Sequence, residues 1–226
     1  MFTDYVFDLN VLFHENYSVA IRYVDKLKLV KYTARGRTPK MLRKEYEAHL
    51  RSLEGQGLRK PLILEKWLIG KYTWKQCHEI VSKSIQQLLE QRPKSTTVAL
   101  MRDISEITFN PDILQNVITV DGKVRKLITD LYNDGKRIYI CGNMDKRTFT
   151  LLQNVHKDVF DKVTGSFISG DVGLLKPSKD YYGMMVREFG INPFKTYIVD
   201  CDKDDLEDAR AIGFVCGRKE NLYGNA

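Results

Sequence analysis

The sequence has few cysteines, and none of its apolar runs is long enough to cross a bilayer. Its four cysteines are widely spaced and form no Cys-x-x-Cys pair, which argues against a disulfide framework and favours reduced thiols in an intracellular protein. No apolar run reaches the roughly 18 residues that a membrane span needs. The N-terminus has neither a basic segment nor a cleavage site. We therefore expect a cytoplasmic protein with no signal peptide and no membrane partner.

Positive charge is concentrated in one part of the chain. The net charge is +7, but residues 15–94 hold 18 Lys and Arg against 8 Asp and Glu, and the remainder holds 18 basic against 21 acidic residues. A basic segment of this kind attracts phosphate-bearing partners. The simpler alternative is a solvated helical surface, because charge counts alone rarely identify a partner.

The chain contains two regions with different patterns of apolar residues. Apolar residues at helical spacing dominate residues 16–31, 40–53, 73–91 and 96–107. From residue 109 onward, helical stretches alternate with short apolar strands. This alternation predicts a parallel sheet covered on both faces, to which residues 5–9 add a strand. The predicted fold is α/β, with a Rossmann-like parallel-sheet core (residues 1–14 and 109–226) and an inserted helical cap (residues 15–108).

Four polar residues follow predicted strands, at the edge where open parallel sheets bind ligands. They are Asp8, Asn143, Lys176 and Asp200, and Asp205 follows shortly after the last of them. Carboxylates can hold Mg²⁺, which prefers oxygen ligands, and one carboxylate can act as a nucleophile toward phosphorus. A lysine neutralises both that carboxylate and a transferring phosphoryl group. The set therefore indicates phosphate chemistry.

Four segments together resemble the signature motifs of the haloacid dehalogenase (HAD) superfamily, closest to its small phosphatases with a helical cap after the first motif. In chain order they are FDLNVLF, IYICGNMD, ISGDVGLLKPSKDYY and YIVDCDKDDLEDARAIGF. The cap is matched by position and helicity only. The resemblance implies that the cap closes over the crevice and selects a small phosphorylated substrate.

The resemblance also implies a role for each matching residue. Asp8 corresponds to the nucleophile, which also binds Mg²⁺, and Lys176 to the lysine that steadies it. Asn143 corresponds to the amide beside the phosphate, with Gly142 preceding it. Asp200 corresponds to a metal-anchoring acid. We expect Asn10 beside both phosphate and metal, and Asp205 to reach the metal.

Three positions depart from the family pattern. Asn10 replaces the aspartate that usually acts as general acid and base, and an amide cannot supply a proton at neutral pH. Gly142 replaces a Ser or Thr, which removes a phosphate hydrogen bond, and Cys201 stands where a second acid is common. Two hypotheses follow: a slow or impaired Mg²⁺-dependent phosphohydrolase, or an inactive HAD-fold protein that binds nucleic acid or an acidic protein through its basic cap. Dehalogenation is a third, weaker one, because nothing in the sequence favours a halide site.

Overall fold

A computed structural model describes residues 2–220 of the chain. Contacts divide these residues into two compact units. The first, here called the core unit, contains residues 2–14 and 119–220, and the second, here called the helical unit, contains residues 15–118. The chain passes between them through two short strands that pair with each other, β2 (Phe13–Glu15) and β3 (Ile118–Val120).

The core unit is built on a five-stranded parallel sheet with the order β5-β4-β1-β6-β7. Its strands are β1 (Asp4–Asp8), β4 (Arg137–Gly142), β5 (Gly165–Ile168), β6 (Thr196–Asp200) and β7 (Val215–Arg218). Between their end residues, the central strands β1, β4 and β6 are apolar because both faces of the sheet are covered, as is usual for parallel sheets. The Rossmann-like α/β prediction is therefore confirmed.

Helices follow β1, β4, β5 and β6 of this sheet, and α9 precedes β4. They are α1 (Leu9–Leu12), α9 (Gly122–Asn133), α10 (Lys146–Val155), α11 (Lys157–Phe160), α12 (Ser169–Val172), α13 (Lys179–Phe189) and α14 (Lys203–Ile212). One face of the sheet packs on α13 and α14 through Val6, Phe167, Tyr181, Met185 and Leu206, all of which are buried. The largest side chains of this core are aromatic, and such side chains contribute the most buried apolar area.

The helical unit consists of seven helices. They are α2 (Tyr17–Ala20), α3 (Lys26–Thr33), α4 (Pro39–Glu54), α5 (Leu62–Leu68), α6 (Trp74–Gln91), α7 (Thr96–Phe109) and α8 (Pro111–Val117). Helix α7 contacts α3, α4, α6 and α8. It therefore lies at the centre of the unit, which explains its many buried apolar residues. None of the helices in residues 2–220 is long and apolar enough to cross a membrane.

The structure differs from the sequence-based expectation in three places. The helix predicted over residues 16–31 is broken, since a 3₁₀ turn over Ile21–Tyr23 separates α2 from α3. Asp25 caps α3 by accepting from the N–H of Lys28 at 3.1 Å, a typical helix start. The pattern of KRTFTLLQNVHKDVF (residues 146–160) predicts one helix, but His156 separates α10 from α11. The helical unit ends at residue 118 and not at 108, because α8 packs against α7.

Candidate active site

Asp8 lies at the carboxyl end of the central strand. Strand β1 pairs with β4 on one side and β6 on the other, so its tip is enclosed by two neighbouring strand ends. The residue is 0% exposed. Its Oδ1 accepts the backbone N–H of Asn10 at 2.7 Å and thereby caps α1. A buried carboxylate is thus fixed at the edge where open parallel sheets bind their ligands.

Lys176 is the centre of the charged cluster. Its ammonium group lies 2.5 Å from Asp8 Oδ2, 2.5 Å from Asp200 Oδ2 and 2.9 Å from Asp205 Oδ2. The lysine side chain is 1% exposed. Three carboxylates around one ammonium leave a negative excess at the site when all are ionised. Such an excess is costly in a buried position unless a further cation or hydrogen-bond donors compensate for it.

Asn143 holds the backbone of Lys176. Its Oδ1 accepts the lysine N–H at 2.9 Å, and its Nδ2 donates to the lysine carbonyl oxygen at 2.9 Å. The two residues are 33 positions apart in the chain. Asn143 follows β4, and Lys176 lies in the loop between α12 and α13. The amide therefore fixes the loop that delivers the lysine, and its predicted contact with phosphate remains a prediction.

Asp200 and Asp205 reach Lys176 from two successive elements. Asp200 ends β6, and its Oδ1 accepts the N–H groups of Cys201 at 2.6 Å and Asp202 at 3.0 Å. Asp202 caps α14 by accepting the N–H of Asp204 at 2.9 Å. Asp205, in the first turn of α14, is buried and directs its Oδ2 to the lysine. The acidic run therefore serves both as a helix cap and as part of the charged cluster.

Burial shifts the ionisation of this cluster. It raises the pKa of Asp8 to about 6, although the Lys176 charge opposes the shift. Burial likewise raises the pKa of Asp205. Burial by itself would lower the pKa of Lys176, but the surrounding carboxylates, Asp8 foremost, raise it well above its ordinary value. The lysine therefore stays charged at neutral pH, whereas Asp8 changes its charge just below neutrality.

Asn10 and Gly142 lie beside Asp8 in different ways. Asn10 is exposed, and its backbone rather than its side chain contacts Asp8. Gly142 has φ +156°, and a Cβ at this position would lie 2.6 Å from Leu9 Cγ. The buried Leu9 side chain thus takes the space that a hydroxyl-bearing residue would need. Tyr181 fixes the same glycine, since its hydroxyl accepts the Gly142 N–H at 2.9 Å and donates to the Phe167 carbonyl oxygen.

Sequence reasoning missed Leu9 and Tyr181. The joint occurrence of a large residue at 9 and a glycine at 142 is the signal that could have identified the first. Tyr181 carries no such signal, since it is one aromatic residue among several on α13. Of the two cysteines next to the site, Cys141 is buried, whereas Cys201 is exposed, with its Sγ 3.6 Å from the Asn10 carbonyl oxygen.

The predicted metal-binding residues do not surround an open centre. Among residues 2–220, no group of three His, Cys, Asp or Glu side chains is arranged to hold a metal ion. The carboxylates of Asp8, Asp200 and Asp205 instead converge on the lysine. The donors near Asp8 are nevertheless oxygens, and Mg²⁺ needs only one or two carboxylates when water and phosphate complete its shell. The donor set and its negative excess therefore fit Mg²⁺.

Comparison with known sequences gives partial similarity to a curated phosphatase. No protein-family model matches the chain. The sesquiterpene phosphatase astK of Aspergillus oryzae is 25% identical over 95 residues, which amount to 42% of this chain and 48% of the phosphatase. The match thus spans about half of the length of that relative.

Comparison with solved structures covers nearly the whole chain. A HAD family enzyme from Bacteroides thetaiotaomicron superposes with a TM-score of 0.63 at 13% identity, over 96% of this chain and 93% of that one. Its complex with magnesium and inorganic phosphate gives a TM-score of 0.60 at 13% identity, over 96% and 94% of the two chains. The L-2-haloacid dehalogenase of Xanthobacter autotrophicus gives 0.58 at 17% identity, over 96% and 77%.

These similarities agree with the motif resemblance, and the residues of all four motifs meet at one end of the sheet. The chain therefore has the fold of the haloacid dehalogenase superfamily.

Proposed function

We propose that the chain is a Mg²⁺-dependent phosphohydrolase that acts on a small phosphate ester through an aspartyl-phosphate on Asp8. The observation that carries the proposal is the buried Asp8 carboxylate, 2.5 Å from the Lys176 ammonium at the carboxyl end of a parallel sheet. A carboxylate in this setting is oriented and partly neutralised, so that a phosphoryl group can approach it.

In the first step, an Asp8 oxygen attacks phosphorus while the ester P–O bond breaks and the alcohol oxygen leaves with the bonding electrons. In the second step, water attacks the aspartyl-phosphate and releases phosphate, which restores the Asp8 carboxylate. Lys176 balances the negative charge in both steps. The Asn10 amide supplies no proton to the leaving oxygen, so that proton comes from water. The missing general acid costs roughly 10²–10⁴ in rate.

Asp8, Asp200 and the backbone carbonyl of Asn10 would hold the Mg²⁺ ion, with Asp205 as a further oxygen donor close by. When bound, the ion would neutralise phosphoryl oxygens and the negative excess of the carboxylate cluster. The structural neighbour crystallised with magnesium and inorganic phosphate supports this part of the proposal. The partial match to a sesquiterpene phosphatase supports a phosphate ester as the substrate.

A second candidate function is the binding of a macromolecular partner by a HAD-fold protein that no longer catalyses hydrolysis. It is favoured by the Leu9 side chain in the space beside Gly142 and by the engagement of the Asn143 amide with Lys176. Both features reduce the polar groups that are left for a phosphoryl oxygen. In this case the basic stretch of residues 15–94 would recruit a nucleic acid or an acidic protein.

Hydrolysis of an aryl phosphate in the presence of Mg²⁺ tests the first proposal. We expect turnover by the unaltered chain and a loss of at least about 10³-fold in Asp8→Asn, because that variant lacks the nucleophile. Asp204→Asn is a matched control in the same acidic region, with an exposed residue. A chain that turns over no phosphate ester but binds RNA or an acidic protein at low salt would favour the second candidate. Equal turnover by Asp8→Asn and the unaltered chain would refute the assignment of Asp8 as the nucleophile.

A further inference from the structure

Exposed apolar side chains are concentrated on one stretch of the helical unit. Eleven large hydrophobic residues are exposed among those that the structure describes, and five of them lie between positions 17 and 30. Tyr17 is 70% exposed, Leu27 75% and Val30 63%. The other two members of the group are Ile21 and Tyr23. A cluster of this kind marks an interaction surface more often than single exposed residues do.

Three exposed cations lie among these apolar residues, namely Arg22, Lys26 and Lys31. None of the three has an ion-pair partner within residues 2–220. The one acidic residue of the stretch, Asp25, is neutralised by Lys28, whose Nζ lies 2.8 Å from its Oδ2. The five apolar residues and three cations are called the apolar–basic face below. It combines hydrocarbon with uncompensated positive charge.

The inner side of the same stretch is anchored to the helical unit. Helix α3 contacts α7 and buries Tyr32, and α2 contacts α8. The Asp25 N–H donates to Asp103 Oδ2 at 2.9 Å. The stretch is therefore anchored by its contacts with α7 and α8. The apolar–basic face consists of the side chains that this packing leaves exposed to solvent.

We propose that the apolar–basic face binds the surface of an anionic lipid membrane. Aliphatic side chains and tyrosines enter the boundary between headgroups and acyl chains, while lysines and arginines contact the anionic headgroups. A second copy of the chain would bring the same positive charge into contact with itself. A nucleic acid would match the charge but would gain nothing from Ile21, Leu27 and Val30. The sequence predicted no membrane partner because no segment spans a bilayer, but lying on a membrane surface needs no such segment.

Flotation of the full chain with lipid vesicles tests the proposal. We expect binding to phosphatidylcholine vesicles that contain phosphatidylserine, and weak binding to phosphatidylcholine alone. Replacing Arg22, Lys26 and Lys31 by Gln should weaken binding roughly 100-fold, at about fivefold for each cation. Replacing Leu27 and Val30 by Ser should weaken it roughly tenfold without a change in charge.

Matched controls separate the apolar–basic face from general properties of the surface. Lys40, Lys44 and Lys94 are exposed on the same unit, so their replacement by Gln removes as much charge from other places. Leu58→Ser removes the most exposed leucine, at 88%. The controls should bind vesicles as the unaltered chain does, and circular dichroism should show that every variant is folded.

Four outcomes would overturn the proposal. The first is equal binding by the face variants and their controls. The second is salt-sensitive binding to RNA or to an acidic protein without vesicle binding. The third is a dimer in light scattering that the Leu27→Ser, Val30→Ser variant loses. The fourth is a loss of phosphatase activity in this variant without any vesicle binding by the unaltered chain, which would assign the face to substrate.

Discussion

The two units of the molecule use charge in opposite ways. In the core unit, Lys176 is buried and contacts three carboxylates at 2.5–2.9 Å. In the helical unit, ion pairs join partly exposed side chains, such as Arg43 and Glu47 on α4, which are 67% and 32% exposed. The same kinds of groups therefore carry large free energies in one unit and small ones in the other, because water screens only the second set. Substitutions in the two units test this contrast.

The largest effect on stability is expected for Lys176→Met. This substitution leaves Asp8, Asp200 and Asp205 buried without their cation, and breaking a buried pair from one side costs about 3–5 kcal/mol. Urea denaturation measures the loss. The control is Lys203→Met, since Lys203 pairs with Glu207 at 3.4 Å in an exposed position, and it should change stability by less than about 0.5 kcal/mol. Similar losses in the two variants would contradict the contrast.

A smaller effect is expected from filling the space beside Gly142. In Gly142→Ala, the new methyl group would lie 2.6 Å from Leu9 Cγ, so the variant should lose about 1–3 kcal/mol. Leu9→Ala should recover part of this loss, and a double-mutant cycle in urea measures the coupling. Purely additive effects would show that Leu9 does not fill this space.

The pH dependence of catalysis should report the burial of Asp8. The attacking carboxylate must be ionised, so kcat/KM should fall roughly tenfold per pH unit below the pKa of Asp8, which is about 6 in the metal-free protein and lower when Mg²⁺ is bound. The free energy of unfolding should depend on pH in the opposite direction to the rate. The folded state binds the Asp8 proton more tightly than the unfolded chain does, so this contribution is complete below about pH 4 and is lost as pH rises through 6.

Two measurements check this prediction. A kcat/KM profile from pH 4 to 8 should show an acid limb at or below pH 6. Urea unfolding over the same range should show a slope that Asp8→Asn removes, because the amide does not titrate. A flat difference between the two proteins would mean that the Asp8 pKa is the same in the folded and unfolded states.

The smallest effect is expected in the helical unit. Glu47 accepts from Arg43 at 3.2 Å and from Arg51 at 3.4 Å, both one helical turn away. Glu47→Gln should cost less than about 1 kcal/mol, and added salt should reduce the difference further. Thermal unfolding at two salt concentrations measures it. A loss as large as that of Lys176→Met would show that surface pairs carry equal weight here.

The sequence was sufficient to predict which strand ends meet. Asp8, Lys176 and Asp200 were expected at one edge because parallel strands present their carboxyl ends together. In the structure, the Lys176 ammonium group lies 2.5 Å from a carboxylate oxygen of each aspartate. The partner of the Asn143 amide was not predictable, since it depends on the path of a loop 33 residues further along the chain. The roles of Asp8 and Asp200 toward phosphate and metal remain predictions.

Sequence patterns were less informative in the helical unit. Helices α4, α6 and α7 were predicted to within about two residues at either end, because their amphipathic repeats are long. The break at Ile21–Tyr23 was not predicted, because the apolar residues keep their helical spacing through it. Asp25 then caps the start of the new helix α3. The sequence analysis placed the residues of α8 in the core, whereas contacts group them with the helical unit. The packing of α8 on α7 is tertiary and is not encoded in the local sequence pattern.

The pairing of Asn143 with Lys176 has a consequence for what position 143 can be. A carboxamide presents the same donor and acceptor as a peptide group. Just after the last residue of β4, the Asn143 side chain therefore makes the two hydrogen bonds that a neighbouring strand would make, but with a loop segment. Aspartate at 143 would keep the acceptor and lose the donor, and glutamine would place both one methylene too far out. The two backbone contacts thus favour asparagine at this position, whatever the ligand of the site is.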